Sequence, residues 1–184
     1  KNIQNVNEII DAWAFMATHD EIRNHGTDSR CRDQNQGDIL ARHIKATREI
    51  VSQVAPTKRF AVWDDMFNPF VNARPGDYYN VKGGWHGSWN GISPDTLIIN
   101  WSANDESFKW FSDRGNPQIM AGYYDWPEGN GGDCLSPVEE RKFVRKVQQN
   151  QGVMGYMYTT WEFENRDRGM SHLKEYFVQD GWGS

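Results

Sequence analysis

Cysteine is scarce in this chain: Cys31 and Cys134 are the two in 184 residues. That count excludes a disulfide-stapled scaffold, and neither cysteine has the spacing of a zinc ligand. Whether the two pair in an oxidising compartment is left open by the sequence. Long apolar runs are missing as well. None approaches the roughly 20 residues that cross a bilayer, so no membrane span is expected. Positive charge is in deficit, with 20 Lys and Arg against 25 Asp and Glu and a net charge of −5. A nucleic-acid surface needs a basic patch, and none is visible, so no nucleic-acid partner is expected. The opening Lys1-Asn2-Ile3-Gln4-Asn5 lacks both an initiator methionine and a signal-peptide pattern. It therefore leaves secreted, periplasmic and cytoplasmic locations open, and it raises the expectation that the gene product starts further upstream. No motif calls for a metal or a cofactor.

What is present is a globular composition, 38% hydrophobic and 24% charged, suited to one domain spanning residues 1–184. Aromatic residues reach 14%, with nine tryptophans. Such rings can fill a core, but an excess of them also suits a sugar site, where flat rings stack on sugar faces.

Five apolar runs stop at aromatic or acidic residues: Phe15–Glu21, Phe60–Asp65, Leu97–Trp101, Ile119–Asp125 and Val153–Glu162. They predict strands at about 13–19, 59–63, 97–101, 117–124 and 153–160. Between them lie helical patterns. Asn5 to Asp11 reads as the end of a first helix. Gly37–Val54 repeats apolar residues at Leu40, Ile44, Thr47, Val51 and Val54, at three- and four-residue steps, and Pro56 closes it. Asn104-Asp105-Glu106 caps a short helix to Arg114, and Gly115 stops it. Ser136-Pro137 opens a helix to about Asn150, and Met170–Val178 makes a last short one. The stretches 22–36, 64–94 and 128–135 read as loops. The middle one is long and holds Trp85 and Trp89, which argues for an ordered, functional loop. Strands alternating with amphipathic helices imply a parallel sheet with right-handed crossovers. Five units leave two architectures: an open doubly wound sheet, or the C-terminal five strand–helix units of a (β/α)8 TIM barrel whose N-terminal strands are missing here or supplied by a second chain. The opening residues favour the barrel. Functional side chains at the C-terminal ends of all five strands are also what a barrel uses to build its site.

The strand-end residues carry a resemblance. His19-Asp20-Glu21 resembles the Asp-Glu pair ending the fourth barrel strand of family 20 glycoside hydrolases, the β-N-acetylhexosaminidases. Trp63 and Trp101 are similar to tryptophans ending that family's fifth and sixth strands. Tyr123 and Asp125 are similar to its Tyr-x-Asp on the seventh, and Trp161 with Glu162 to the Trp and Glu at the eighth. The order matches throughout residues 13–164. Thr18-His19 stands where the family usually carries Gly-Gly, and Glu162 follows Trp161 directly where the family spaces them by one residue.

The resemblance implies an exo-acting glycosidase on terminal N-acetylhexosamine. Glu21 would be the general acid/base, having the longer arm, and Asp20 would orient the 2-acetamido group. That group's own oxygen attacks the anomeric carbon, a substrate-assisted exception to the two-carboxylate rule. Tyr123 would donate to the acetamido oxygen, Trp63, Trp101 and Trp161 would wall the pocket, and Asp125 and Glu162 would bind hydroxyls. His19 is expected beside the acids as a hydrogen-bond partner, and Asp64 as a further substrate contact. Adjacent carboxylates also raise one another's pKa, which suits acid catalysis. A two-carboxylate version would use Asp64 or Asp65 as nucleophile. Two further readings stand beside these: a silent carbohydrate-binding remnant, and a barrel glycosidase acting on a sugar without an acetamido group.

Overall fold

A computed structural model describes residues 2–102, 104–123, 137–150, 152–159, 170, 171 and 174. Helix α1 (Asn2–Ile9) precedes strand β1 (Ala14–Met16). Then come α2 (Gln36–Val54), β2 (Arg59–Trp63), β3 (Leu97–Asn100), α3 (Asp105–Asp113), β4 (Gln118–Tyr123), α4 (Pro137–Val147) and β5 (Val153–Thr159). The expected last helix falls mostly outside the described residues.

The helices start where the sequence supplies caps. The Asn35 side chain accepts from the Asp38 amide at 3.0 Å at the start of α2. The Asn104 side chain takes the Glu106 and Ser107 amides at 2.8 and 3.3 Å at the start of α3. Each bond satisfies an amide that the first helical turn leaves without a backbone partner.

All five strands are parallel and stand in the order β1-β2-β3-β4-β5. A doubly wound sheet reverses its strand order at a switch point, and this sheet has no reversal among its five strands. Right-handed crossovers that always step in one direction carry their helices to one face of the sheet. The packing follows that rule. Phe60, Val62 and Ile98 meet Leu40, Ile44 and Val51 of α2 and Phe111 of α3. Further along, Met120 meets Phe108 of α3 and Val144 and Val147 of α4, with Tyr156 and Tyr158 against them. The alternate residues Ala61, Trp63, Leu97, Ile99 and Ala121 form a second apolar cluster on the opposite face. Trp101, Ile119 and Met157 pack against it, and no residue of a described helix takes part.

Strand β1 is shorter than the expected 13–19. One more ladder bond follows it, Ala17 N–H to the Ala61 carbonyl at 2.9 Å. Then His19 and Glu21 take φ of +47° and +34°, a left-handed backbone that no strand admits.

The stretch from Asp64 to Pro94 has no α-helix, only two 3-10 turns at Asp65–Phe67 and Ser88–Gly91. It is nonetheless core. Met66, Phe67, Val71, Ala73, Val81, Trp85 and Ile92 are all buried within it. It lies directly on the backbone of α2. A Cβ on Gly37 would stand 2.2 Å from the His86 carbonyl oxygen, and one on Gly91 would stand 2.6 Å from the Ala41 Cα. Gly91→Ala is therefore expected to push loop and helix apart and lower stability by about 1–3 kcal/mol. Urea unfolding followed by tryptophan fluorescence checks it, and an unchanged midpoint would show that the contact yields without cost.

Candidate functional site

The C-terminal edge of the sheet is organised by two adjacent carboxylates that end β2. Asp64 and Asp65 are both fully buried and reach in opposite directions. Asp64 reaches forward to the segment after β3. Its Oδ1 accepts from the Trp101 amide at 2.9 Å, and its Oδ2 accepts from Asn68 Nδ2 at 2.7 Å and from the Ser102 hydroxyl. Asp65 reaches back to the segment after β1. Its Oδ2 accepts from the Glu21 amide at 3.0 Å and from Asn72 Nδ2 at 2.7 Å. The neighbouring Met66 sulfur accepts from the Ile22 amide at 3.3 Å. The His25 ring stands edge-on to Trp85, 5.2 Å between centroids. The loops after β1 and β2 are thus joined at several points.

A polar network continues from Asp64 beneath α3. Asn68 Nδ2 also donates to the Ser107 hydroxyl at 2.7 Å, and Asn100 Nδ2 donates to the same hydroxyl at 2.9 Å. Asn100 Nδ2 reaches Gln118 Oε1 at 3.1 Å as well, and Gln118 Nε2 donates to the Phe108 carbonyl at 2.8 Å. Asn68, Asn100, Ser107 and Gln118 are all buried, so each bond removes a desolvation cost as well as adding an attraction.

Burial dominates the electrostatics of the pair. Loss of water pushes the Asp64 carboxyl up to about 6, although the Ser102, Asn68 and Trp101 donors act against it. Burial, and then the charge of Asp64, push Asp65 up to about 8. Geometry agrees for Asp65. Its Oδ1 is buried with no donor, and an oxygen so placed is costly to leave charged.

The sequence-predicted residues fall as follows. Asp20 and Glu21 lie on the irregular segment after β1, past the strand itself. Asp20 is at the surface. Partial enclosure of its carboxyl, and secondly the charge of Glu21, raise its pKa, with Arg23 pulling the other way. The upward shift expected within this pair falls on Asp20. Glu21 is half-buried, and its carboxylate takes Arg23 Nη2 at 3.3 Å. His19 sits beside them with its ring 5.0 Å from His43 and 6.4 Å from Phe67. Burial chiefly lowers its pKa, so the ring is neutral near pH 7. Trp63 is buried in the strand-face cluster, and Trp101 is half-buried at its rim.

Asp64 has its place beneath this edge rather than on it, since internal donors take both of its oxygens. The same enclosure leaves neither Asp64 nor Asp65 open to a substrate as a nucleophile. Tyr123 ends β4, paired with Thr159. Asp125, Trp161 and Glu162 lie outside the described residues, as does Cys134. Cys31 is free. Among the described residues no cluster of three or more His, Cys, Asp or Glu could hold a metal, and no helix is long and apolar enough to cross a membrane.

Sequence reasoning missed the roles of Asn68, Asn72, Asn100 and Gln118. Two signals were there to read. Asn68 and Asn72 follow the acids at four- and seven-residue steps, and Asn100 and Gln118 are polar residues at the end of β3 and the start of β4, beside apolar runs. Compared with family models and with curated proteins, the chain gives no match to either.

The raised carboxyls give a pH dependence. Asp65 holds a proton in the folded chain that the unfolded chain releases near its ordinary value of 3.8. Its contribution to stability is therefore fully present below about pH 4 and lost as pH rises through about 8. Relative to Asp65→Asn, wild type is expected to lose up to about 1.4 kcal/mol per pH unit across that window. Denaturation curves at a series of pH values measure the difference, and a flat difference would mean that Asp65 is ionised throughout.

Proposed function

We propose that these five strands are part of the wall of a (β/α)8 barrel and that their C-terminal edge carries a glycoside hydrolase site. The reading of the fold is supported by the consecutive strand order, by helices gathered on one face, and by the apolar cluster of strand residues on the other. In a barrel that second face is the packed interior, and the loops at the strands' C-terminal ends build the site.

The observation that carries the function is the placement of Asp20 and Glu21. The Asp65 carboxyl anchors the Glu21 backbone, so the acidic pair stands over the same sheet edge that Trp63 and Trp101 reach from β2 and β3. A glycosidase needs an acid beside the leaving oxygen and something to steady an oxocarbenium-like centre. Glu21 is the side chain for the first task, and Arg23, which is 62% exposed, can be displaced from it by an entering sugar. Asp20 is the group that orients a 2-acetamido N–H, so that the acetamido oxygen attacks the anomeric carbon. Trp101, half-buried at the rim of the cluster, offers apolar surface for a pyranose ring, and the buried Trp63 backs it from within. The substrate on this reading is a terminal β-linked N-acetylhexosamine. The reaction retains configuration, because the acetamido group is displaced in turn by water that Glu21 deprotonates.

A second reading, sugar binding without turnover, draws on His19. Its ring packs against His43 and Phe67 at a position where the resembled family carries glycine, a side chain next to the acids that the hydrolase pattern lacks.

The two are separated by hydrolysis of an aryl N-acetyl-β-glucosaminide, run beside the corresponding aryl glucoside and galactoside. Glu21→Gln is expected to lower kcat by about 100-fold or more while the protein keeps its fold. Full activity in that variant removes Glu21 from the acid role. Calorimetric binding of N-acetylglucosamine with no turnover of any glycoside would favour the silent site, and turnover of the glucoside alone would point to a glycosidase that ignores the acetamido group.

A further inference from the structure

Glu21 carries the acid role in the glycosidase reading, yet its backbone is in an unfavourable conformation. A non-glycine residue at φ +34° persists only where its surroundings hold it. Its backbone N–H points to a single acceptor, Asp65 Oδ2, at 3.0 Å. That acceptor is 44 residues away in sequence and fully buried, at the first turn after β2. Asn72, also buried, holds the same oxygen from the other side at 2.7 Å. The Ile22 amide, next in the chain, is held by the neighbouring Met66 sulfur. Two consecutive amides of the β1 loop are thus fixed by two consecutive side chains of the turn after β2. Asp65 touches no substrate position itself, and its other oxygen is buried without a donor.

We propose that Asp65 is the positioning residue for the acid/base Glu21, holding its backbone in the left-handed turn that presents the carboxyl at the sheet edge. This rests on the glycosidase reading for what Glu21 does, but the contact itself does not. An acceptor at this point is the requirement. An amide oxygen supplies it nearly as well as a carboxyl, whereas a methyl leaves the Glu21 N–H without a partner and frees the turn to relax. A misplacement of about 1 Å at a reacting group is enough to cost about a hundredfold in rate.

The test compares wild type, Asp65→Ala and Asp65→Asn in two measurements. In the first, Asp65→Ala is expected to lower kcat on an aryl N-acetyl-β-glucosaminide by about a hundredfold with KM within about twofold, and Asp65→Asn recovers most of that loss. In the second, hydrogen exchange at the Glu21 amide, read by NMR, quickens at least about tenfold in Asp65→Ala and stays slow in Asp65→Asn. An Asp65→Ala protein with wild-type kcat, or one whose Glu21 amide stays protected, overturns the proposal. So does an Asp65→Asn protein as impaired as Asp65→Ala, since charge rather than an acceptor would then matter. Absence of turnover in wild type sinks the glycosidase reading instead, and amide exchange then decides the Asp65–Glu21 contact by itself. If Asp65→Ala does not fold, the wild-type exchange rate decides, because an amide exchanging at open-loop speed has no buried acceptor.

Discussion

Two acids side by side just after β2, pointing apart, hold the C-terminal edge of this sheet together. The chain leaves β2 at Trp63 and turns at once, Asp64 having φ −75° and ψ −38°, and the turn sends one carboxyl to the segment after β3 and the other to the segment after β1. Asp64 takes the Trp101 amide and the Ser102 hydroxyl, and Asp65 takes the Glu21 amide. Three consecutive strand ends become one unit. Carboxylates suit this work because each oxygen accepts more than one donor. They suit it only if their charge is managed, since two buried anions in contact would repel strongly. The amide and hydroxyl donors around Asp64, and the upward push on Asp65 to about 8, let one of the pair keep its proton near neutral pH.

The ladder under α3 extends the same logic to β4. Asn68, Ser107, Asn100 and Gln118 pass hydrogen bonds from the Asp64 carboxyl to the helix and to the neighbouring strand. A ladder of this kind packs no better than leucines would, and every member left unpaired is costly. What it adds is register: Asn100 and Gln118 find each other in one alignment of β3 with β4 and helix α3. The segments that carry Glu21 and Trp101 are tied through Asp65 and Asp64 to that base.

Much of the architecture was legible in the sequence because it rests on local signals. Strand β2 was read to the residue from Phe60-Ala61-Val62-Trp63, and α2 to within one residue from its apolar spacing and the Pro56 stop. Strand order was not legible, since alternating strands and helices fit several windings. It came from the pairing of each strand with the next. Strand β1 was expected at about 13–19 and forms over Ala14–Met16, because nothing local announces where the ladder stops or that His19 and Glu21 adopt positive φ. At Glu21 the tertiary partner is 44 residues away, the Asp65 carboxyl that accepts its amide. For the same reason Asp64 and Asp65 were read as candidate site acids. An acid pair looks alike in sequence whether it faces a substrate or a set of amides, and only burial tells the two apart.

The close seating of Gly37 on the His86 carbonyl, and of Gly91 on Ala41, bears on how the chain reaches this state. The long segment between β2 and β3 has little regular structure of its own, so it has no independent shape to dock. It needs the finished surface of α2 as a mould. Helix α2 is local and capped, and helices of its length form fast. The segment that follows β2 is the slow partner, because its contacts span about fifty residues and must wait for loop closure. Contacts of that span favour a local helix forming before the loop that seats on it, and the Glu21 amide gains its acceptor only once Asp65 is in place.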